Sequence, residues 1–378
     1  MPVMGKILNV DAIQNAMQAR GLNRARVARE VGVSRTAVTK WLTLGDFPRP
    51  DKLLKLGMLL GLGFKQLVAE TVDPMEPVVA FRRKGGRKTK QDHLERAKHM
   101  GLLLRQLAPS LPFDQLSRPA TLRAPVCEYR YLQRVAHKIR EEIKVPDAKP
   151  IQFRDLIGQF ARLHAVIIPV VWGDKSHHEN ALHVYLPDSM TTWVYLNLDS
   201  NIHDFKFWMA HELGHVYAPT LREDEGEDFA DAFAQALLFP EASAAAAYAM
   251  LSKTRAKGAR VNRIKAIALD YGISPTTVNL ALQDYAREHG AEPVDVGKDI
   301  HAASANFNKK FPTVAEQSFP RIPPSAKEYI SVCREVFQSP FFDALQRHIG
   351  ATGVSAGFVE TVLQLPLRDA REIIEELR

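Results

Sequence analysis

Between residues 11 and 69, apolar side chains recur every three or four positions in five short bursts, each bounded by glycine, asparagine or proline. That period predicts amphipathic helices. Asp11 is placed to cap the first, whose inward positions are Ile13, Met17 and Leu22, and Gly21 ends it. Asn23 starts a second over Arg24–Val31, with Val27, Ala28 and Val31 inward. Gly32-Val33-Ser34 makes a tight turn, and Ser34 is a good N-cap for a third helix, Arg35–Leu44, burying Ala37, Val38, Trp41 and Leu42. Pro50-Asp51 opens a fourth with Leu53, Leu54, Leu56 and Leu60, and a short fifth begins near Phe64.

The pattern then changes along the chain. Residues 71–98 form a junction: Pro74 and Pro77 break helix, and Arg82–Lys90 (RRKGGRKTK) is a basic run with internal glycines, which predicts a flexible arm. Residues 93–145 are helical in period and predict a connecting layer, closed by a boundary from Val145-Pro146 to Pro150. The helix IQFRDLIGQFARLH follows, then three strand patterns: Ala165–Trp172, Leu182–Leu186 and Trp193–Asn197. Pro169 predicts an edge or a bulge in the first. The linker PDSMTT suits a hairpin between the other two. A small antiparallel sheet is therefore expected, whose edge could pair with an extended peptide. Arg24–Leu44 reads as a helix-turn-helix, and residues 255–289 form a second helix-turn-helix-like pattern, in which Gly272-Ile273-Ser274 echoes Gly32-Val33-Ser34. Its Thr276, Thr277 and Asn279 replace the Arg and Lys of the first motif, so it is read as packing or substrate-docking structure. Residues 291–378 hold proline-rich turns and amphipathic helices near 325–337, 340–348 and 355–378, to which no chemistry attaches.

The fold class expected is α+β, mostly helical. The expected divisions are 1–72, a five-helix domain; 73–149, linker and connecting helices; 150–250, the α+β core; 251–290, a helical subdomain; and 291–378, a helical region. A chain of 378 residues with 46% hydrophobic content supports two or three cores.

Charge changes the picture at the front end. Residues 1–98 carry 19 Lys and Arg against 9 Asp and Glu, a balance of +10, and the remainder carries 31 against 34, or −3. A basic front on a nearly neutral body points to a polyanion partner there. Cys127 and Cys333 lie too far apart for a zinc knuckle and suggest no disulfide framework, which fits a reducing cytoplasm. Met1–Gly21 lacks the apolar core of a signal peptide, and no run is long enough to span a membrane, so no membrane partner is expected.

Chemistry concentrates in residues 205–240. His211-Glu212-Leu213-Gly214-His215 is an HExxH motif. Residues four apart share a helix face, so His211 and His215 can present two imidazoles to one metal, with Glu212 beside them as general base. A catalytic zinc takes three protein ligands and keeps one open position. Glu227 and Asp231 share a face of a second helical pattern, opposite Phe229, Phe233 and Leu237, while Ala230 and Ala234 keep the metal-facing side thin. Glu227 is assigned as third ligand and Asp231 as the acceptor that orients a ligating imidazole. Glu223 and Glu225 are weaker candidates, placed in the loop before that helix. His177, His178 and His183 are read as surface histidines. An oxyanion donor is expected but not chosen; Tyr217 is close to the motif.

HELGH followed by Glu227–Pro240 (EDFADAFAQALLFP) resembles the ImmA/IrrE family of metallopeptidases over residues 150 to 290. The chain departs from the family's pattern at Phe229, where a second glutamate is frequent, and at Phe239, which replaces a methionine. The stretch VAREVGVSRTAVTKWL resembles the Xre/Cro type of repressor domain. In such folds the second helix of the motif enters the major groove. Candidate DNA contacts are Arg24, Ser34, Arg35, Thr36, Thr39 and Lys40. The resemblances imply a DNA-binding regulator fused to a Zn2+ endopeptidase. Its expected substrate is a helix-turn-helix repressor or another regulatory protein in a stress or mobile-element response, and a homodimer on DNA is expected. The other reading is a transcription factor or antitoxin whose peptidase-like domain senses a metal or metabolite without proteolysis.

Overall fold

The computed structural model describes residues 6–43, 46–70, 76–81, 91–113, 121–172, 181–221, 223–297 and 300–378. The basic arm, Pro74, His177 and His178 lie outside the described residues. The chain divides into two compact units, Met1–Glu76 and Pro77–Arg378.

The first unit runs β1 (Lys6–Leu8), α1 (Val10–Ala19), α2 (Arg24–Val31), α3 (Arg35–Thr43), α4 (Pro50–Leu60), α5 (Phe64–Leu67) and β2 (Val68–Glu70). Asn23 caps α2, and Gly32 ends it in the left-handed conformation at φ 73°, which glycine adopts without strain. The Ser34 hydroxyl then accepts from Ala37 N–H at 3.1 Å and starts α3. Three local expectations need correction. Asn9, not Asp11, caps α1, accepting from Ala12 N–H at 3.1 Å; the helix starts early enough that Asp11 falls in its first turn, where a negative charge meets the helix dipole. Leu54 is 67% exposed, because Leu53, Leu56 and Leu60 already define the inward stripe of α4 and a residue one step away is rotated off it. The strand pair β1–β2, antiparallel with Ile7 opposite Ala69, joins two distant short segments and leaves no periodic trace.

The second unit begins with β3 (Val78–Phe81), α6 (Gln91–Leu107), α7 (Tyr129–Glu142), α8 (Phe153–Arg162), β4 (Ala165–Val170), β5 (Ala181–Leu186) and β6 (Thr191–Asn197). It continues with α9 (Ile202–Tyr217), α10 (Glu223–Leu238), α11 (Glu241–Ser252), α12 (Lys257–Tyr271), α13 (Pro275–Glu288), α14 (Ile300–Asn308) and α15 (Val314–Ser318). It ends with α16 (Ala326–Glu335), α17 (Phe341–Thr352), α18 (Ala356–Leu363) and α19 (Leu367–Leu377). The class is α+β, mostly helical.

The sheet has the order β3-β5-β6-β4 and is mixed, not antiparallel. β5 is antiparallel to β3 and β6, whereas β4 runs parallel to β6, with Ala165 opposite Thr192. Periodicity identifies strands but not their order: the chain passes from β4 across to β5 and returns as β6, so the first and third of these strands become neighbours. Pro169 lies in an edge strand, as its missing N–H requires. The other edge, β3, belongs to a stretch that the sequence presents as junction.

One apolar core runs from Ala97 to Leu377, so the expected borders near 150, 250 and 290 do not separate independent cores. The C-terminal helices complete it. Tyr329 and Ser339 donate from their hydroxyls to the carbonyls of Pro169 and Ile167 in β4. Tyr195 donates to Val362 O and Trp172 Nε1–H to Leu363 O, each at 3.0 Å. That edge is thereby closed to strand addition at these positions. The last predicted helix is two, α18 and α19, because Pro366 interrupts it.

Candidate metal centre

α9 begins where the Asn201 side chain accepts from His203 N–H at 3.1 Å. It is buried almost all round, including Phe205, Met209, Leu213 and Val216. α10 lies against it with Phe229, Phe233 and Leu237 in the core. The two helices touch at Gly214: a Cβ there would sit 2.9 Å from the Ala230 Cα and 3.2 Å from its Cβ. The small residues within and after HELGH thus set the distance at which side chains from both helices meet.

His211, His215 and Glu227 converge. The two Nε2 atoms are 3.1 Å apart, and the Glu227 carboxylate oxygens lie 3.5 Å from His211 Nε2 and 3.3 Å from His215 Nε2. Donors about 2.0–2.1 Å from one tetrahedral ion would be separated by about 3.3 Å. The two contacts of Glu227 use different oxygens, Oε2 toward His211 and Oε1 toward His215, and one donor atom of each of the three residues lies within 4.8 Å of the others, so the group could hold a metal ion. Asp231 Oδ1 lies 2.9 Å from His211 Nδ1, the contact that fixes the ring and leaves Nε2 to face the other donors. Glu212 is 1% exposed, on the same helix, and its charge acts on His211.

Burial disfavours charge on His211, but the bonds to Asp231 and Glu227 outweigh it and raise its pKa to about 9. Burial lowers that of His215, and the adjacent His211 adds to the effect. Burial would raise that of Glu227; the two histidines overcome this and hold it at about 2. Glu227 is thus kept ionised, the state a metal ligand needs.

The remaining candidates sort by geometry. α10 starts at Glu223, so Glu225 is helical rather than in a loop, and it is exposed and outside the donor group. Phe229 is fully buried on the core side, so a glutamate at that position would not reach the donors. Tyr217 donates no bond toward them; its hydroxyl accepts from Gln159 Nε2–H and its ring packs on Phe233. His183 is not a surface residue. It is 3% exposed, and its ring centroid lies 5.7 Å from that of His215. Alternation along β5 was the available signal: Leu182 and Val184 take one face of the strand, and Val184 meets α6 at Gly101, so His183 points the other way, toward α9.

In the first unit, Ser34, Arg35, Thr36 and Lys40 are exposed along the start and one side of α3, and Arg24 and Thr39 are half-buried. The hydroxyl of Thr39 donates back to Arg35 O at 3.0 Å, and that of Ser34 is committed to the cap. The charged groups Arg35 and Lys40 are therefore the free-reaching part of this face.

No family model, curated protein or solved structure matches this chain. Among the described residues no helix is long and apolar enough to cross a membrane.

Proposed function

We propose that the chain is a DNA-binding regulator carrying a zinc-dependent endopeptidase, with a regulatory protein as substrate. The observation that carries this reading is the convergence of His211, His215 and Glu227 beside a buried Glu212. A purely structural site needs no buried carboxylate next to its ligands, whereas peptide hydrolysis needs a base there.

His211, His215 and Glu227 would hold the ion. When bound, it would supply Lewis acidity toward the peptide carbonyl and toward water. Glu212 takes the proton from the attacking water and returns it to the leaving amine. Asp231 keeps the His211 ring in the orientation and tautomer that ligation requires. His183 is the described polar side chain adjoining His215 from the sheet, and it is the better candidate than Tyr217 for steadying the developing negative charge on the carbonyl oxygen. The exposed Arg35 and Lys40, with the +10 balance of residues 1–98, support DNA as the partner of the first unit. A homodimer on DNA belongs to the same reading.

The test compares new protein N-termini in cells expressing the native chain or Glu212→Gln, before and after DNA damage. A cleavage product present only with the native chain supports the peptidase and names its substrate. Identical N-termini, with zinc bound in both proteins, reject it and leave a regulator that senses without cutting.

A further inference from the structure

The cations that follow residue 98 are not spread evenly. Residues 253–265 (KTRAKGARVNRIK) hold six Lys and Arg and no Asp or Glu, whereas the rest of 99–378 carries 25 against 34, a balance of −9. A compact positive segment thus stands on an otherwise acidic body. α13, which stands where the first helix-turn-helix has its groove-entering helix, offers nothing comparable. Its one cation, Arg287, pairs with Asp284 at 2.8 Å.

The segment covers the turn after α11 and the first half of α12, and its backbone is held in place. Thr254 N–H donates to Leu251 O at 2.9 Å, and the Thr254 hydroxyl donates to Met250 O at 3.1 Å. From α12, Arg260 Nε–H donates to Thr254 O at 2.7 Å and its Nη1–H to Asp295 O at 2.9 Å. Arg260 therefore pins the turn to the helix. Lys257 pairs with the Asp295 carboxylate at 2.6 Å. Lys253, Arg255, Arg263 and Lys265 have no carboxylate partner among the described residues, and the first three of these are exposed. Elsewhere on this unit Arg130, Arg162 and Arg334 each meet an acid, Glu288, Glu142 and Asp343.

On α12 the outward positions are Ala259, Asn262 and Ala266, with Arg263 to one side and Lys265 to the other. The opposite face, Val261, Ile264 and Ala268, is buried. Short side chains at the centre let a phosphodiester backbone approach the helix, while long cations reach it from both flanks. The next acid along α12 is Asp270, at its far end.

The residue types on this face choose among polyanions. Residues 250–270 contain no aromatic side chain, so unpaired bases would find nothing to stack on. A membrane surface calls for large apolar side chains between the cations, where this face has Ala, Asn and Ala. A protein partner calls for an apolar or aromatic centre, which is missing for the same reason. The regular backbone of a double helix asks only for Lys and Arg at its phosphates.

We propose that the face formed by residues 253–265 binds the phosphate backbone of duplex DNA without regard to base sequence. This contact is separate from the peptidase chemistry and from the contacts of Arg35 and Lys40 on α3.

The test uses the full chain, a fluorescein-labelled 30-base-pair duplex of arbitrary sequence, and anisotropy across a salt series. Lys253→Gln/Arg255→Gln/Lys265→Gln removes three cations that hold no part of the fold. It should reduce the slope of log affinity against log salt by about 2–3, since each phosphate contact contributes about 0.9, and weaken binding about tenfold or more at about 100 mM salt. Its melting temperature should match that of the native chain. Lys138→Gln/Lys327→Gln/Arg371→Gln removes the same charge from scattered exposed positions and should change the slope by less than about 0.5. Equal losses in the two triple variants would mean that net charge alone acts, and would overturn the proposal. So would an unchanged slope in the first triple variant, or no duplex binding by the native chain. A loss caused by Arg35→Ala/Lys40→Ala but not by the first triple variant keeps DNA on α3 and removes it from α12. The reverse result keeps the α12 face and removes α3. A decapeptide alternating Glu and Ala that binds the native chain as tightly as the duplex, and is lost in the first triple variant, would make the occupant an acidic protein instead.

Discussion

Gly214 and Ala230 are where α9 and α10 meet, and a Cβ on Gly214 would come within 2.9 Å of the Ala230 backbone. No rotamer relieves a clash between a Cβ and a Cα, so the helices must separate by a few tenths of an ångström. His211 and His215 sit on one helix and Glu227 on the other, so separation stretches the donor triangle. Gly214→Ala is expected to cost about 1–3 kcal/mol of stability, the range for overpacking a close-packed contact. It should also weaken zinc affinity by more than the stability loss explains. Zinc titration with a competing chelator, beside thermal melts, checks both. Native zinc affinity in Gly214→Ala would show that the contact does not set the site.

The aspartate that touches His211 gives a graded prediction. Asp231 is half exposed and bonds to a fully buried imidazole at 2.9 Å. Asp231→Asn should lower zinc affinity about 10-fold, within the 10–100-fold range for partners of ligating histidines. Glu227→Ala should lower it further, because it removes a donor rather than its orienter. Glu225→Gln, one turn-edge away and outside the group, should leave it unchanged. If Glu225→Gln releases zinc and Glu227→Ala does not, the ligand assignment is wrong.

These residues also show where sequence reading reaches and where it stops. The i, i+4 histidines, the Glu227 and Asp231 pair, and the alanines beside them are local patterns, and each occupies the place its period assigns. Asn23, Gly32 and Ser34 likewise delimit their helices through bonds spanning three or four residues. What escaped depends on partners distant in the chain. β3 is four residues long and is defined only by β5, about a hundred positions away. The parallel pairing of β4 follows from strand order, which no local period encodes. His183 reads in the sequence as a surface histidine; its burial follows from being on an inner strand, with its ring facing His215 of α9.

His203 supplies a prediction in pH. Its ring lies within 4.4 Å of the Phe311 centroid and 4.9 Å of Phe307, and it is 5% exposed. Burial, with Lys206 adding repulsion, pushes its pKa down to about 4. The unfolded chain titrates near 6.5. Between those values the unfolded state binds the proton and the folded state does not. Stability is therefore full above about pH 6.5 and falls as pH drops toward 4. At pH 5 the loss from this group is about 1–2 kcal/mol. Urea unfolding of the native chain and His203→Phe at pH 7 and pH 5 isolates it, since other titrations are common to both. The variant should lose less stability on acidification; an equal loss in both would remove His203 as the cause.

DNA binding by the first unit makes a prediction in salt that needs no operator sequence. Arg35 and Lys40 are exposed on α3, and neither has its charge spent on a carboxylate within α3, which contains no acidic residue. Each phosphate contact contributes about 0.9 to the slope of log affinity against log salt. Arg35→Ala/Lys40→Ala should lower affinity for a 30-base-pair duplex and reduce that slope by about 1–2, measured by anisotropy across a salt series. A weakened affinity for one sequence only, at unchanged slope, would place these side chains on base edges instead. Unchanged affinity and slope would take DNA contact away from α3. The basic residues that precede and follow it would then have to account for the +10 balance, as a solvated surface or through a partner other than DNA.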